Sequence, residues 1–182
     1  MEKVTNDFIE PFLEAIKFAE TLKNLDESQI NWKPQPEKWS VASNLNHLSL
    51  TIIKFLPHLE KALEVNEKCS LDNISYKYNL IEKLYIRGAG PNGIKIPAPK
   101  PIKPTQKVYQ LEIIDEFIES QNKMIAIIEK SAQYDISKIR VRSFLTSLFK
   151  MKIPAWFDGL PQHQVRHFNQ IKAILNHPDF PS

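Results

Sequence analysis

The chain predicts an all-α fold, a four-helix bundle with irregular, proline-rich connectors. Three observations lead there. Apolar residues recur at helical spacing over four long stretches. Only four glycines occur among 182 residues, which favours helix over turn-dense sheet. The simplest way to bury four such stripes is against one another in a bundle. The length fits one domain, residues 1–182, with ample material for a core.

The first helix is expected from Asn6 or Asp7, either of which can cap it, to about Asn24. Phe8, Phe12, Ile16, Phe18, Ala19 and Leu22 form its apolar stripe. Asp26 to Pro36 reads as a connector, because Trp32, Pro34 and Pro36 oppose a continuing helix. Ser40, after Trp39, is a good N-cap for a second helix. Its stripe is Val41, Leu45, Leu48, Ile52, Phe55, Leu56, Leu59 and Leu63. Pro57 falls inside that pattern and predicts a kink or an early end near Leu56. Tyr78 to Ile86 has mixed periodicity and reads as a helical continuation.

Residues 88–93, Gly-Ala-Gly-Pro-Asn-Gly, match GxGxxG. A dinucleotide loop works by opening directly into a helix whose N-terminus faces the pyrophosphate. Here Pro97, Pro99, Pro101 and Pro104 follow, so a turn into an extended linker is expected. A third long helix should run from about Thr105 to Ser131, with Leu111, Ile114, Phe117, Ile118, Gln121, Ile125 and Ile128 on its inner side. Asp135 to Phe144 is a connector with alternating apolar residues. Lys138, Arg140, Arg142, Lys150 and Lys152 follow one another with no acid from 138 to 152. Such a run is a solvated basic rim or a contact for an anionic ligand or partner.

The last helix carries the chemistry. Pro161 suits a first helical turn, and Val165, Phe168, Ile171 and Leu175 recur at helical spacing. Asn176 and Pro178 form a stop. His163 and His167 stand four apart, hence neighbours on one face about 6 Å apart. Two imidazoles so placed can grip one metal ion. Among five histidines, a pair at that spacing arises by chance about one time in ten, the usual risk of a short motif. Gln164 stands where a zinc protease of the HExxH type needs its glutamate, so that chemistry is excluded.

A third ligand has to come from elsewhere. His58 is about 16 Å along a straight helix from His47, and His177 about 15 Å from His167. That leaves His47, which lies off the apolar stripe of the second helix on a face with Ser43, Asn44, Leu50 and Thr51. Such a strip faces solvent or a wet pocket inside the bundle. Three imidazoles would leave an open coordination position, the mark of a catalytic metal site.

Three separated elements now resemble one family. Trp32-Lys-Pro, followed by Glu37-Lys-Trp39-Ser40-Val-Ala-Ser-Asn-Leu-Asn-His47-Leu, looks like the second-helix signature of the DinB/YfiT-like superfamily. The His163-x3-His167 helix, ending in Gln170-Ile171, resembles that family's last helix, and the proline-rich linker before the third helix is also similar. The resemblance implies the up-down-down-up bundle and a nickel or zinc ion held by His47, His163 and His167. It also implies a homodimer and, among characterised relatives, thiol S-transferases that use bacillithiol or mycothiol; other members are regarded as metal-dependent hydrolases. Gln164 departs from the family, several members having an acidic residue there.

The leading expectation is therefore a metal-dependent transferase or hydrolase acting on a small molecule, the reactive species being a metal-bound water or thiolate. A low-molecular-weight thiol would be its co-substrate. Asn44, Thr51 and Gln170 lie on faces from which they could orient the ligands, and Arg166 could hold a carboxylate. The alternative is a non-enzymatic, stress-related metal-binding module. Nucleic acid is not expected at a net charge of +3 without a groove-reading or stacking motif. No membrane partner is expected without an apolar span. A lone Cys69 and an N-terminus without a signal-like apolar run point to the cytoplasm.

Overall fold

The computed structural model describes residues 2–3, 5–69, 74–94, 96–104, 108–146 and 149–181. Four long helices carry the bundle: α1 (Thr5–Thr21), α3 (Val41–Glu64), α5 (Ile113–Ser131) and α6 (Ile153–Leu175). Two shorter ones, α2 (Glu27–Asn31) and α4 (Leu80–Ala89), sit in the connections. Two small antiparallel ribbons complete the described residues, β1 (Glu2–Lys3) with β2 (Ile74–Ser75) and β3 (Arg140–Arg142) with β4 (Lys150–Lys152).

The order of the helices follows from how their stripes divide between two apolar clusters. Phe8, Phe12, Phe55, Leu59, Leu63, Met124, Ile128, Ile153 and Phe157 share one cluster. Ala19, Leu22, Val41, Leu45, Ile113, Ile114, Ile171 and Ile174 share the other. So α1 and α6 run from the first cluster to the second, and α3 and α5 run back. This is the up-down-down-up order. α1 packs on α5 and α6, while α3 packs on other sides of the same two helices.

Several local expectations need correction. Asn6 and Asp7 lie inside α1, not at its cap. The 26–36 connector holds a helix after all: Asp26 accepts from the Gln29 N–H at 2.9 Å, and the Gln29 side chain answers at the Asp26 N–H, a reciprocal cap that a five-residue helix needs. Ser40 does cap α3, accepting from the Ser43 N–H at 3.1 Å. Pro57 neither ends nor shortens α3, which continues to Glu64. α5 begins at Ile113; residues 108–112 are non-helical, and 105–107 lie outside the described residues. Pro161 is inside α6, not in its first turn. The first-turn proline is Pro154.

The glycine motif forms a turn after α4, with the Gly93 N–H donating to the Gly90 carbonyl at 3.0 Å. A Cβ on Gly93 would meet the Gly88 carbonyl oxygen at 1.8 Å, so only glycine fits. Where a connector was expected over 135–144, β3 forms and pairs antiparallel with β4. Val141 and Met151 face each other on the buried side of this ribbon, and the Trp156 indole N–H donates to the Val141 carbonyl at 3.2 Å.

Candidate metal centre

Between the two apolar clusters lies a polar layer. His47 falls between Leu45 and Ile52 on α3, and His163 and His167 fall between Leu160 and Ile171 on α6. Of the strip through His47, Ser43, Asn44 and Thr51 are buried with it in the interior, while Leu50 is only partly buried. His47 is 3% exposed and His167 6%, while His163 is only partly buried. The ligand-capable atoms of the three rings all lie within 4.8 Å of one another. The Nε2 of His163 is 3.3 Å from that of His47 and 3.1 Å from that of His167.

The outer nitrogens fix which way the rings present their lone pairs. The Nδ1 of His47 sits 2.7 Å from the Ile102 carbonyl. A carbonyl only accepts, so Nδ1 carries the proton and Nε2 keeps its lone pair. The Nδ1 of His167 is 2.8 Å from the Asn44 Oδ1. Asn44 is held in that orientation because its amide N–H donates to the Ser40 carbonyl at 2.9 Å. The helix cap thus reaches the site in two steps, from Ser40 through Asn44 to His167. Trp39 closes the far side: its ring stacks on His167 at 5.6 Å and 16° and tilts over His47 at 4.9 Å.

All three imidazoles are held neutral. Burial lowers His47, partly opposed by the Ile102 hydrogen bond. Burial, then the charges of His47 and Arg166, push His163 down to about 3. Burial, then His163, His47 and Arg166, push His167 to about 2, with Gln170 pulling weakly upward. Neutral rings are what metal ligation requires.

The donor set fits a divalent ion. Two lone pairs converge on the Nε2 of His163, and one N–H there would serve only one of them well. At a metal–nitrogen length of about 2.1 Å, tetrahedral ligands stand about 3.4 Å apart, close to the separations seen. Partly exposed His163 marks the way in. Beside it Tyr85 packs where a Cβ of Gly159 would be, at 2.1 Å, so Gly159 lets α4 approach α6. The Arg166 guanidinium donates to the Ile94 carbonyl at 3.2 Å, bringing the linker along the same helix.

Of the remaining expected residues, Asn44 touches a ring directly. Thr51 does not: its hydroxyl donates to the His47 backbone carbonyl at 2.8 Å. Arg166 acts on His163 and His167 by its charge, and Gln170 acts on His167 through a weak side-chain hydrogen bond. His58 stacks on Phe55, and His177 packs on Trp32, both away from the triad. Two participants were not foreseen. The Ile102 carbonyl, in a 3-10 turn at Lys100–Ile102, has no side-chain signal in the sequence. Trp39 was given no role at the site; its position just before the cap was the available clue. Gln164 turns away and donates to the Gln121 Oε1 at 2.6 Å.

Fold and site together define a four-helix bundle with a buried three-histidine cluster that could hold a metal ion. The chain belongs to the DinB superfamily, whose family model matches residues 16–171. It is also similar to the uncharacterized protein YuaE of Bacillus subtilis (strain 168), at 24% identity over 163 residues, covering 84% of this chain and 87% of that one. No solved structure matches the chain. Among the described residues no helix is long and apolar enough to cross a membrane.

Proposed function

We propose that this chain is a metal-dependent enzyme acting on a small molecule, a thiol-dependent S-transferase or a hydrolase, with His47, His163 and His167 holding nickel or zinc. The observation that carries the reading is the convergence of three neutral imidazoles whose outer nitrogens are already engaged or clear of the centre. When bound, the ion supplies an open coordination position at which a water or thiol becomes acidic near neutral pH. The residues of the chain do the rest. Ile102 and Asn44 hold the tautomers, and Trp39 shields two rings from water. Arg166 offers a guanidinium at the open side, where the carboxylate of a thiol or substrate can be held in a forked hydrogen bond. Among the described residues no carboxylate joins the three-histidine cluster, and Gln164 is spent on Gln121.

The reading carries a homodimer in the cytoplasm as its simplest setting, checked by light scattering of the purified protein. Its activity is tested with a panel of low-molecular-weight thiols, electrophiles, esters and amides on nickel- or zinc-loaded protein. Turnover is expected to require the metal and to vanish in His167→Ala with helical content retained. Arg166→Ala is expected to raise KM more than it lowers kcat, the pattern of lost uniform binding. A metal-loaded protein inert across the panel supports the second reading, a metal-binding module without catalysis, which the absence of a nearby carboxylate favours.

A further inference from the structure

We propose that the 96–104 segment of the proline-rich linker is a latch coupled to the metal centre, a coupling that rests on the metal-holding part of the proposed function and not on the reaction. Occupancy of the centre fastens the segment, and loosening the segment releases the ion. The two ring acceptors at the centre have different origins. Asn44, which meets His167, sits on α3 and is held there by the Ser40 carbonyl at 2.9 Å. The Ile102 carbonyl, which meets His47 at 2.7 Å, belongs to the connection between α4 and α5. One acceptor is part of the bundle, and the other is joined to it only by the linker's own contacts.

Those contacts are narrow. Of the residues of the 96–104 segment only Ile102 is buried, at 4% exposure. The turn at Lys100–Ile102 packs on α3, and its backbone bonds are local. The Ile102 N–H donates to the Pro99 carbonyl at 3.1 Å and the Lys103 N–H to the Lys100 carbonyl at 3.3 Å. Pro97, Pro99, Pro101 and Pro104 have no N–H to donate and a fixed φ. The segment is therefore a stiff strip seated through one apolar side chain and one carbonyl.

The chemistry of the imidazole joins that seat to the ion. With Nδ1–H directed at Ile102, the Nε2 of His47 keeps the lone pair that a metal needs. Without that acceptor the proton can move to Nε2, 3.3 Å from the Nε2 of His163, and occupy the ligating position. In the other direction, a ring whose Nε2 is bonded to a cation is poorer in electrons. Its Nδ1–H is then the stronger donor, and the Ile102 bond tightens. The coupling is reciprocal: the factor that the Ile102 contact contributes to metal affinity equals the factor by which the bound ion tightens the seat. Loss of such an outer partner costs about 10–100-fold in affinity, which sets the size of both effects.

The test is hydrogen–deuterium exchange of the full chain, read by mass spectrometry with and without zinc. Peptides covering 96–104 should exchange about 10–100-fold more slowly with zinc. Peptides of α2, whose cap is equally local, should change much less. Competition with a chelator measures the reverse direction. Ile102→Gly, which removes the apolar seat, should weaken zinc binding by about the same 10–100-fold, and Ile102→Val should restore it. Circular dichroism verifies that both variants fold. Zinc bound to the wild type with exchange at 96–104 unchanged overturns the latch and leaves the three-histidine centre standing. So does slowing spread equally over α2 and the segment, or a folded Ile102→Gly with wild-type zinc affinity. A wild type that binds no zinc overturns the latch and the metal centre together.

Discussion

Two buried polar groups share the middle layer of this bundle, and they are built differently. At the histidine cluster the outer nitrogens of His47 and His167 have fixed acceptors, and the inner lone pairs point at one place. One residue away from His163 on the same helix, Gln164 is equally buried, at 3% exposure. It bonds Gln121 on α5 by its amide N–H, and its Oε1 has no partner among the described residues. The first group is organised around a point outside any of its own atoms. The second is a pair that crosses between helices and leaves an acceptor over. Burial of polar atoms alone therefore does not mark a site; convergence with fixed tautomers does.

The difference can be broken from the histidine side first. Trp39→Ala removes the ring that lies on His47 and His167. Since Trp39 is half-buried, the loss should sit near the low end of the cost of deleting an aromatic side chain, about 3 kcal/mol. A denaturant titration measures it, and wild-type stability would remove Trp39 from the account. Asn44→Leu takes away the acceptor at His167 while keeping bulk. Metal affinity by competition with a chelator should fall about 10–100-fold, with the helical spectrum unchanged.

Acidity sharpens the same contrast, because glutamines do not titrate. The three histidines are lowered from 6.5 in the folded chain, His163 to about 3 and His167 to about 2. Below pH 6.5 the unfolded chain binds protons that the folded chain refuses. Stability of the metal-free protein should then be complete above about pH 6.5 and decline steadily as pH falls toward 3. Urea midpoints across that range measure it. Replacing the three histidines together by glutamine should flatten that part of the profile.

Much of the fold was legible because helices advertise themselves. The stripes of α1, α3, α5 and α6 run over several turns each, and Ser40 is a cap by residue type alone. What stayed hidden depends on contacts far apart in the chain. The α2 cap and the β3–β4 ribbon are short, and their stability comes from neighbours such as Trp156. Periodicity cannot count such neighbours. Pro57 and Pro161 misled for a related reason: bundle packing on both sides holds a helix through a proline that an isolated segment would not tolerate. At the site, His163 and His167 were visible by spacing. His47 emerged by excluding His58 and His177, and from the likeness of its helix to a family signature. The Ile102 carbonyl was out of reach, since every residue carries one.

Smaller effects complete the comparison. Ser40→Ala should cost about 1 kcal/mol by loss of the cap, with metal affinity nearly kept, because Asn44 bonds the Ser40 backbone and not its hydroxyl. Gln121→Leu with Gln164→Met removes both polar partners at once and relieves the leftover acceptor. Thermal unfolding should then be unchanged or slightly higher. A marked loss would mean that the glutamine pair is itself part of the site.

The central claim is that the three imidazoles, and not buried polarity in general, hold a divalent ion. Elemental analysis after nickel or zinc loading and extensive dialysis tests it directly, comparing wild type, His47→Ala, His163→Ala and the Gln121→Leu/Gln164→Met variant. The account predicts about one ion per chain in the wild type and in the glutamine variant, as one tetrahedral three-histidine centre requires, and almost none in either histidine variant. Metal retained in full by both histidine variants would contradict it.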